Sequence, residues 1–245
     1  MRSIVYGGLT AWGVLAFHLP QMWLMVFLLF PKTGPGTWRD AVFNALIFAA
    51  WGLMHSILAR DFSHRIMARL VGEDFVKLLY VSIAGLTQCA LIFLWRPLEG
   101  VFWQAEGVWR GVLIAAFLAA AGAVWVTSIL LDYMEALGVR AVIRRWKRQE
   151  APPPALSMKG PYAHCRHPVY FFTLFFLWIG PVMNATRLEF ALLGTIYVLA
   201  GMRLEDRDTA RILGEDYREY QKHVPILIPR LKPWRREKGD PAAGI

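Results

Sequence analysis

Two short stretches of the 245-residue chain hold the side chains from which a ligand site could be built. The first runs Gly160-Pro161-Tyr162-Ala163-His164-Cys165-Arg166-His167-Pro168-Val169-Tyr170, and the second is Arg203-Leu204-Glu205-Asp206. Pro168 suits a first helical turn, because the N–H it lacks would be unpaired there anyway. The free N–H groups and positive dipole of such a helix start favour a carboxylate or phosphate, and Arg166 adds charge of the right sign. Glu205 and Asp206 offer acceptors to an ammonium or to hydroxyls. A zwitterionic ligand would suit the two stretches together. Arginines at a membrane edge also set topology, and the residues alone leave both readings open.

The elements between and around these stretches are apolar. Hydrophobic residues make up 56% of the chain and charged residues 18%, and the mean hydropathy is +0.38. That is too apolar for an ordinary soluble domain of this size. A span needs roughly 20 apolar residues to cross about 30 Å of hydrocarbon. Six candidate windows meet or approach this: Ser3 to Pro31, Ala41 to Ala59, Leu78 to Trp95, Gly111 to Leu131, Pro168 to Thr186 and Leu188 to Leu204. The last is the shortest, bracketed by Glu189 and Arg203. The fold class expected is therefore an all-α polytopic membrane protein of about six transmembrane helices. The last two form a hairpin that returns both polar stretches to one side of the bilayer.

Charge placement orients this arrangement. With six spans, 22 of the 27 Lys and Arg residues fall on the side of both termini and five on the other. By the positive-inside rule both termini are cytoplasmic, in what would be a bacterial inner membrane. The net charge of +9 is thus explained by topology and anionic headgroups, and no basic-aromatic nucleic-acid module is visible. Cys89 and Cys165 lie far apart in sequence and imply neither a disulfide framework nor a zinc site. The N-terminal apolar run is longer than a signal-peptide core and has no small-residue cleavage site, so it reads as a span. Trp12, Trp23, Trp38, Trp95, Trp103 and Trp109 read as an interfacial belt.

Polar groups inside spans are costly and merit individual readings. His18 and His55 read first as partners in hydrogen bonds between helices. A haem- or quinone-associated subunit built on these two histidines, or a transporter, are the non-enzymatic alternatives. Between Asp132 and Gln149, the basic residues Arg140, Arg144, Arg145, Lys147 and Arg148 alternate with apolar ones. The pattern is that of a helix lying in the interface or of a solvated, orientation-setting loop. Pro152-Pro153-Pro154 then breaks any helix. Beyond Glu205 an amphipathic helical pattern continues, with Gly214 as a possible interruption, and ends at Val224-Pro225. The organisation expected is a four-span bundle (1–131), a basic linker with the motif turn (132–167), a catalytic hairpin with its C-terminal helix (168–234) and a disordered tail (235–245).

In order and spacing, Gly160-Pro161-Tyr162, Arg166-His167-Pro168-x-Tyr170, Arg203-Leu204-Glu205-Asp206, Leu213-Gly214-x-x-Tyr217-x-x-Tyr220 and Val224-Pro225 through Ile228-Pro229 resemble the C-terminal half of the integral-membrane methyltransferases. That superfamily includes isoprenylcysteine carboxyl methyltransferases and phospholipid methyltransferases. In the N-terminal half, His55-Ser56-x-x-Ala59-Arg60, Tyr80, Trp95-Arg96-Pro97, Trp103 and Leu137-Gly138-Val139-Arg140 are similar to the subgroup of methanethiol S-methyltransferases and NnrU-like proteins. The chain departs from the subgroup's pattern with Asp206 in place of a second Glu and Thr209 in place of a Leu.

The resemblance implies S-adenosyl-L-methionine as methyl donor, held without a soluble nucleotide-binding domain. It implies cofactor-binding roles for Tyr162, Arg166, His167, Pro168, Tyr170, Glu205 and Tyr217, and catalytic roles for Arg203 and Glu205, with Glu205 orienting Arg203 or the donor's ammonium. His164 and Cys165 stay unassigned, and Tyr217 and Tyr220 serve equally as packing residues. The acceptor implied is a small thiol such as methanethiol, with an isoprenylcysteine-like or lipid acceptor as the alternative.

Overall fold

A computed structural model describes residues 2–153 and 155–234. The expected disordered tail (235–245) lies outside them. Apolar windows become long helices: α1 (Arg2–Leu29), α2 (Trp38–Leu58), α4 (Val76–Leu94), α5 (Gly107–Leu130) and α9 (Ala185–Leu213). With the turn Glu73–Phe75 that leads into α4, these are the five helices among the described residues that are long and apolar enough to cross a membrane. Shorter helices connect or follow them: α3 (Asp61–Val71), α6 (Tyr133–Ala136), α7 (Val139–Lys147), α8 (Pro168–Trp178) and α10 (Glu215–His223). Of the two readings of the basic stretch, the helix is the one realised, as α7.

The fifth predicted span needs correction. Only Pro168–Trp178 is helical, a rise of about 16 Å and too little to cross alone. Pro181 cannot continue a helix, and the chain runs on extended as β2 (Val182–Asn184), pairing antiparallel with β1 (Val101–Gln104). Partners are Val101 with Asn184, Trp103 with Met183 and Gln104 with Val182, with an irregularity between Val101 and Trp103. The last predicted span is α9, which continues past Glu205 to Leu213 as the amphipathic pattern predicts and stops at Gly214.

The chain divides into two compact units. Among the described residues the first comprises 2–114, 132–151 and 180–193. Its core joins Val81, Leu137 and Val139 to Val14, Phe17 and Tyr80, and an aromatic cluster packs Phe27, Phe48, Trp95 and Phe190 edge to face. Trp95 is therefore buried core and not part of an interfacial belt. Polar side chains satisfy chain ends inside this unit. Lys32 Nζ donates to the carbonyls of Ile92, Phe93 and Trp95, capping the C-terminus of α4. Fully buried Arg187 donates to the carbonyls of Leu28 and Val182. Gly180 makes room for it, since a Cβ there would lie 1.8 Å from Arg187 Nη1.

Among the described residues the second unit comprises 115–131, 152–153, 155–179 and 194–234. Phe117 of α5 stacks on Phe176 of α8, and Trp178 Nε1 donates to Thr195 Oγ1 at 2.9 Å. A second small core gathers Tyr217, Tyr220 and Val224 against Leu156, Met158 and Leu213. Gly214, at φ +63°, breaks the helical run between α9 and α10 in a conformation that costs glycine little.

Candidate active site

All nine residues singled out from the motifs, from Tyr162 to Tyr220, fall in the second unit. The first motif is laced to the chain that follows α10. The N–H groups of Arg166 and His167 donate to the carbonyls of Pro225 and Ile226, and those of Arg230 and Trp234 donate to His164 and Ala163. Tyr220 Oη donates to the Tyr162 carbonyl, and Tyr162 Oη donates to the Thr127 carbonyl at 3.1 Å. Burial pushes both phenols above their ordinary range, so each stays a protonated donor.

The centre of the site is Asp206, buried on α9. Its Oδ1 accepts from Arg166 Nε at 2.9 Å, His167 Nε2 at 3.1 Å and Tyr217 Oη at 2.8 Å. Its Oδ2 accepts from Arg166 Nη2 at 3.1 Å and Gln221 Nε2 at 2.8 Å. Arg166 Nη1 turns away to the carbonyls of Gln221 and Val224, at 3.0 and 2.9 Å, and so caps the end of α10. Burial first, and the bond to Asp206 second, raise the Tyr217 phenol far above its usual value. The Asp206 carboxylate is thus saturated, and so are the donors facing it.

This arrangement gives three of the expected ligand residues partners inside the protein. Arg166, His167 and Tyr217 are brought together, but around Asp206 rather than around an open ligand position, and Tyr220 joins them as packing. Arg166 spends its forked N–H groups within the protein. Pro168 takes the predicted first-turn position of α8. Gln221 and the organising part of Asp206 were missed. The signal for Asp206 was present in helical phase. Val198, Met202 and Asp206 recur every four residues, and all three are buried, so the apolar stripe of α9 runs straight into the carboxylate.

Tyr170, Arg203 and Glu205 behave differently. Tyr170 Oη donates to Glu205 Oε2, joining the first motif to the second. Arg203 and Glu205 are exposed, and Arg203 is unengaged among the described residues. Two positions apart on a helix, Arg203 and Glu205 do not face each other, so Glu205 orients Tyr170 rather than Arg203. A separate cavity of about 310 Å³, mostly apolar, lies against Pro161, His164, Cys165, Pro168 and Phe172. Cys165 is buried, which pushes its thiol up to about 11. It is an unreactive neutral thiol near pH 7.

His18 and His55 lie in the first unit. His18 Nδ1 donates to the Val14 carbonyl of its own helix at 2.6 Å, not to another helix. His55 Nε2 and Tyr80 Oη are 2.9 Å apart, the bond between helices that its plainer reading predicts.

An all-α membrane protein with a polar site assembled by its last helices is the class defined so far. No family model matches the chain, and no solved structure does. Among curated proteins it is 34% identical over 225 residues to the methanethiol S-methyltransferase of Pseudomonas sp. strain GM41, covering 88% of this chain and 86% of that one. It is 32% identical over 205 residues to methanethiol S-methyltransferase 1 of Bradyrhizobium diazoefficiens, covering 83% and 70% respectively. It is also 32% identical over 210 residues to the methanethiol S-methyltransferase of Pseudomonas deceptionensis, covering 82% and 79%. The chain belongs to the methanethiol S-methyltransferase family and, with it, to the membrane methyltransferases. The haem, quinone and transporter readings have no comparable support.

Proposed function

We propose that this protein methylates methanethiol to dimethyl sulfide, with S-adenosyl-L-methionine as donor. The observation that carries the reading is the 34% identity spanning most of both chains. The donor is a zwitterion with ribose hydroxyls, and exposed Glu205 and Arg203 with half-buried Tyr170 fit its needs. Glu205 is an acceptor for its ammonium, Arg203 a counter-charge for an anion, and Tyr170 a hydroxyl and aromatic edge. Arg166, His167 and Tyr217 fit less well as direct ligands, since their donors are already used. They act as positioning residues, holding α9 and α10 at fixed register through Asp206.

When bound, the donor supplies an electrophilic methyl group on a sulfonium. The protein's work is to align the acceptor sulfur with it and exclude water. Arg203 favours the thiolate of the acceptor over the thiol, and the proton lost passes to solvent. A sulfur–carbon bond to the acceptor would form as the donor's sulfonium–carbon bond broke, with the thioether and the demethylated donor as products. No side chain needs to serve as general base. A small apolar thiol partitions into lipid, which gives a membrane enzyme direct access to it. The positive-inside count, made with six crossings of which α8 and the residues after it form the fifth, supports an inner-membrane orientation with both termini and this site on the cytoplasmic side.

The test is transfer from methyl-labelled donor to methanethiol by membranes containing the protein, with headspace and lipid extract counted separately. Label in the headspace is expected. Label confined to the lipid extract would replace the thiol by a membrane acceptor, the alternative implied by the wider superfamily.

A further inference from the structure

The first unit contains a larger cavity, about 720 Å³, that the methyl-transfer reading does not use. Its walls come from the first turns of α1 and from α7 with the residues after it. Val5 and Leu9 supply apolar surface, Tyr6 and Trp146 aromatic surface, and Arg145 and Arg148 positive charge. The rings of Tyr6 and Trp146 stack, 6.5 Å between centroids and 19° between planes.

Three observations say what such a cavity would hold. The first is depth. Tyr6 lies one turn into a helix whose candidate membrane-crossing stretch begins at Ser3, and a crossing that starts there puts the cavity at headgroup level, where Tyr and Trp collect. The second is charge. α7 has no acidic residue in Val139–Lys147. Of its arginines, Arg144 is taken by Glu135 in a two-pronged pair at 2.6 and 3.0 Å. Lys77 adds a third bond to the same carboxylate, and the set, Arg144 first, lowers the Glu135 pKa to about 2. Arg145 is engaged more loosely, 3.5 Å from Asp74, and Arg148 forms no ion pair among the described residues. The third is shape. The apolar wall continues along the exposed face of α1, where Ile4 and Val5 point outward, while carboxylates at Asp74 and Glu150 sit on the polar side.

We infer that this cavity binds the headgroup of an anionic glycerophospholipid, its phosphate on Arg145 and Arg148 and its acyl chains along Val5 and Leu9. Asp74 and Glu150 accept from headgroup hydroxyls, which selects a hydroxyl-bearing headgroup such as glycerol over a bare phosphate. Glu135 serves the site indirectly, fixing Arg144 and thereby the position of α7. A solvated basic helix would need none of this: not the stacked aromatic wall, not the apolar continuation and not a cavity at headgroup depth.

Native mass spectrometry of the full chain in detergent, titrated with phosphatidylglycerol or phosphatidylcholine, tests the inference. Wild-type protein should retain phosphatidylglycerol preferentially. The double variant Arg145→Gln/Arg148→Gln should weaken it by roughly thirtyfold, at about 1 kcal/mol per cation near a membrane surface. Arg145→Lys/Arg148→Lys should keep most of the affinity, and Lys147→Gln, on the same helix but outside the cavity, should change it little. Equal retention of both lipids would overturn the proposal, as would an equal loss in Lys147→Gln, which would mean diffuse attraction. Displacement of the lipid by millimolar glycerol phosphate would make this a soluble-anion site instead.

Discussion

Two neighbouring carboxylates on α9 have opposite surroundings. Asp206 is buried and accepts from Arg166, His167, Tyr217 and Gln221. Glu205 is exposed and accepts from Tyr170. One step along a helix turns a side chain by about 100°, which is enough to send one carboxylate into the protein and leave its neighbour facing out. The buried region is a closed polar network whose donors and acceptors already match. The exposed region, Arg203 and Glu205 beside half-buried Tyr170, holds two charges that face outward. A network saturated in this way fixes geometry, and an open set of charges is what a ligand can engage. The chemistry is accordingly assigned to the exposed face and the architecture to the buried one.

The sharpest way to break this division is Asp206→Ala. It strands the Arg166 guanidinium without its counter-charge, and removing one partner of a buried pair costs about 3–5 kcal/mol. A large fall in unfolding temperature is expected, with transfer lost alongside. Tyr217→Phe removes one bond to the same carboxylate and should cost about 1.5–3 kcal/mol by the same measurement. On the exposed face the pattern reverses. Arg203→Ala should leave stability within about 0.5 kcal/mol yet lower methyl transfer by roughly a hundredfold, the scale of losing one preorganised charge contact.

A smaller effect compares this network with the other charged cluster, around Glu135. Its pKa is lowered from 4.5 in the unfolded chain to about 2 when folded, chiefly by the bond from Arg144. The stability it contributes is fully present above pH 4.5 and is lost as pH falls toward 2. Glu135→Gln should therefore flatten the fall of unfolding temperature across that acidic window. The exposed pair at Glu219, with Lys222 and His223, should have no measurable counterpart.

Much of this was legible in the sequence, because the information is local. The long spans follow from uninterrupted apolar windows, the break at Gly214 from a glycine inside an amphipathic run, and the end of α10 from Val224-Pro225. The motif stretches could be picked out because residue type and spacing are local too. The shortened α8 was only half visible. Pro181 marks where a helix must stop, but the strand that follows pairs with residues about eighty positions earlier, and no local pattern announces that partner. Trp95 was misread for the same reason: a tryptophan at the end of an apolar window looks interfacial until Phe27, Phe48 and Phe190 are seen to enclose it. The partition between Asp206 and Glu205 lay in between. The four-residue stripe through Val198 and Met202 points at Asp206, while the donors that saturate it come from an earlier motif and a later helix.

The most direct test of the division of labour is donor affinity, read by calorimetric titration with S-adenosylhomocysteine, for Glu205→Gln beside the wild type, with unfolding temperature recorded on the same samples. Loss of a charge-assisted contact to the ligand predicts roughly tenfold weaker binding or more, with the unfolding temperature unchanged. Undiminished affinity, or a destabilisation like that expected of Asp206→Ala, would contradict the assignment of ligand binding to the exposed carboxylate.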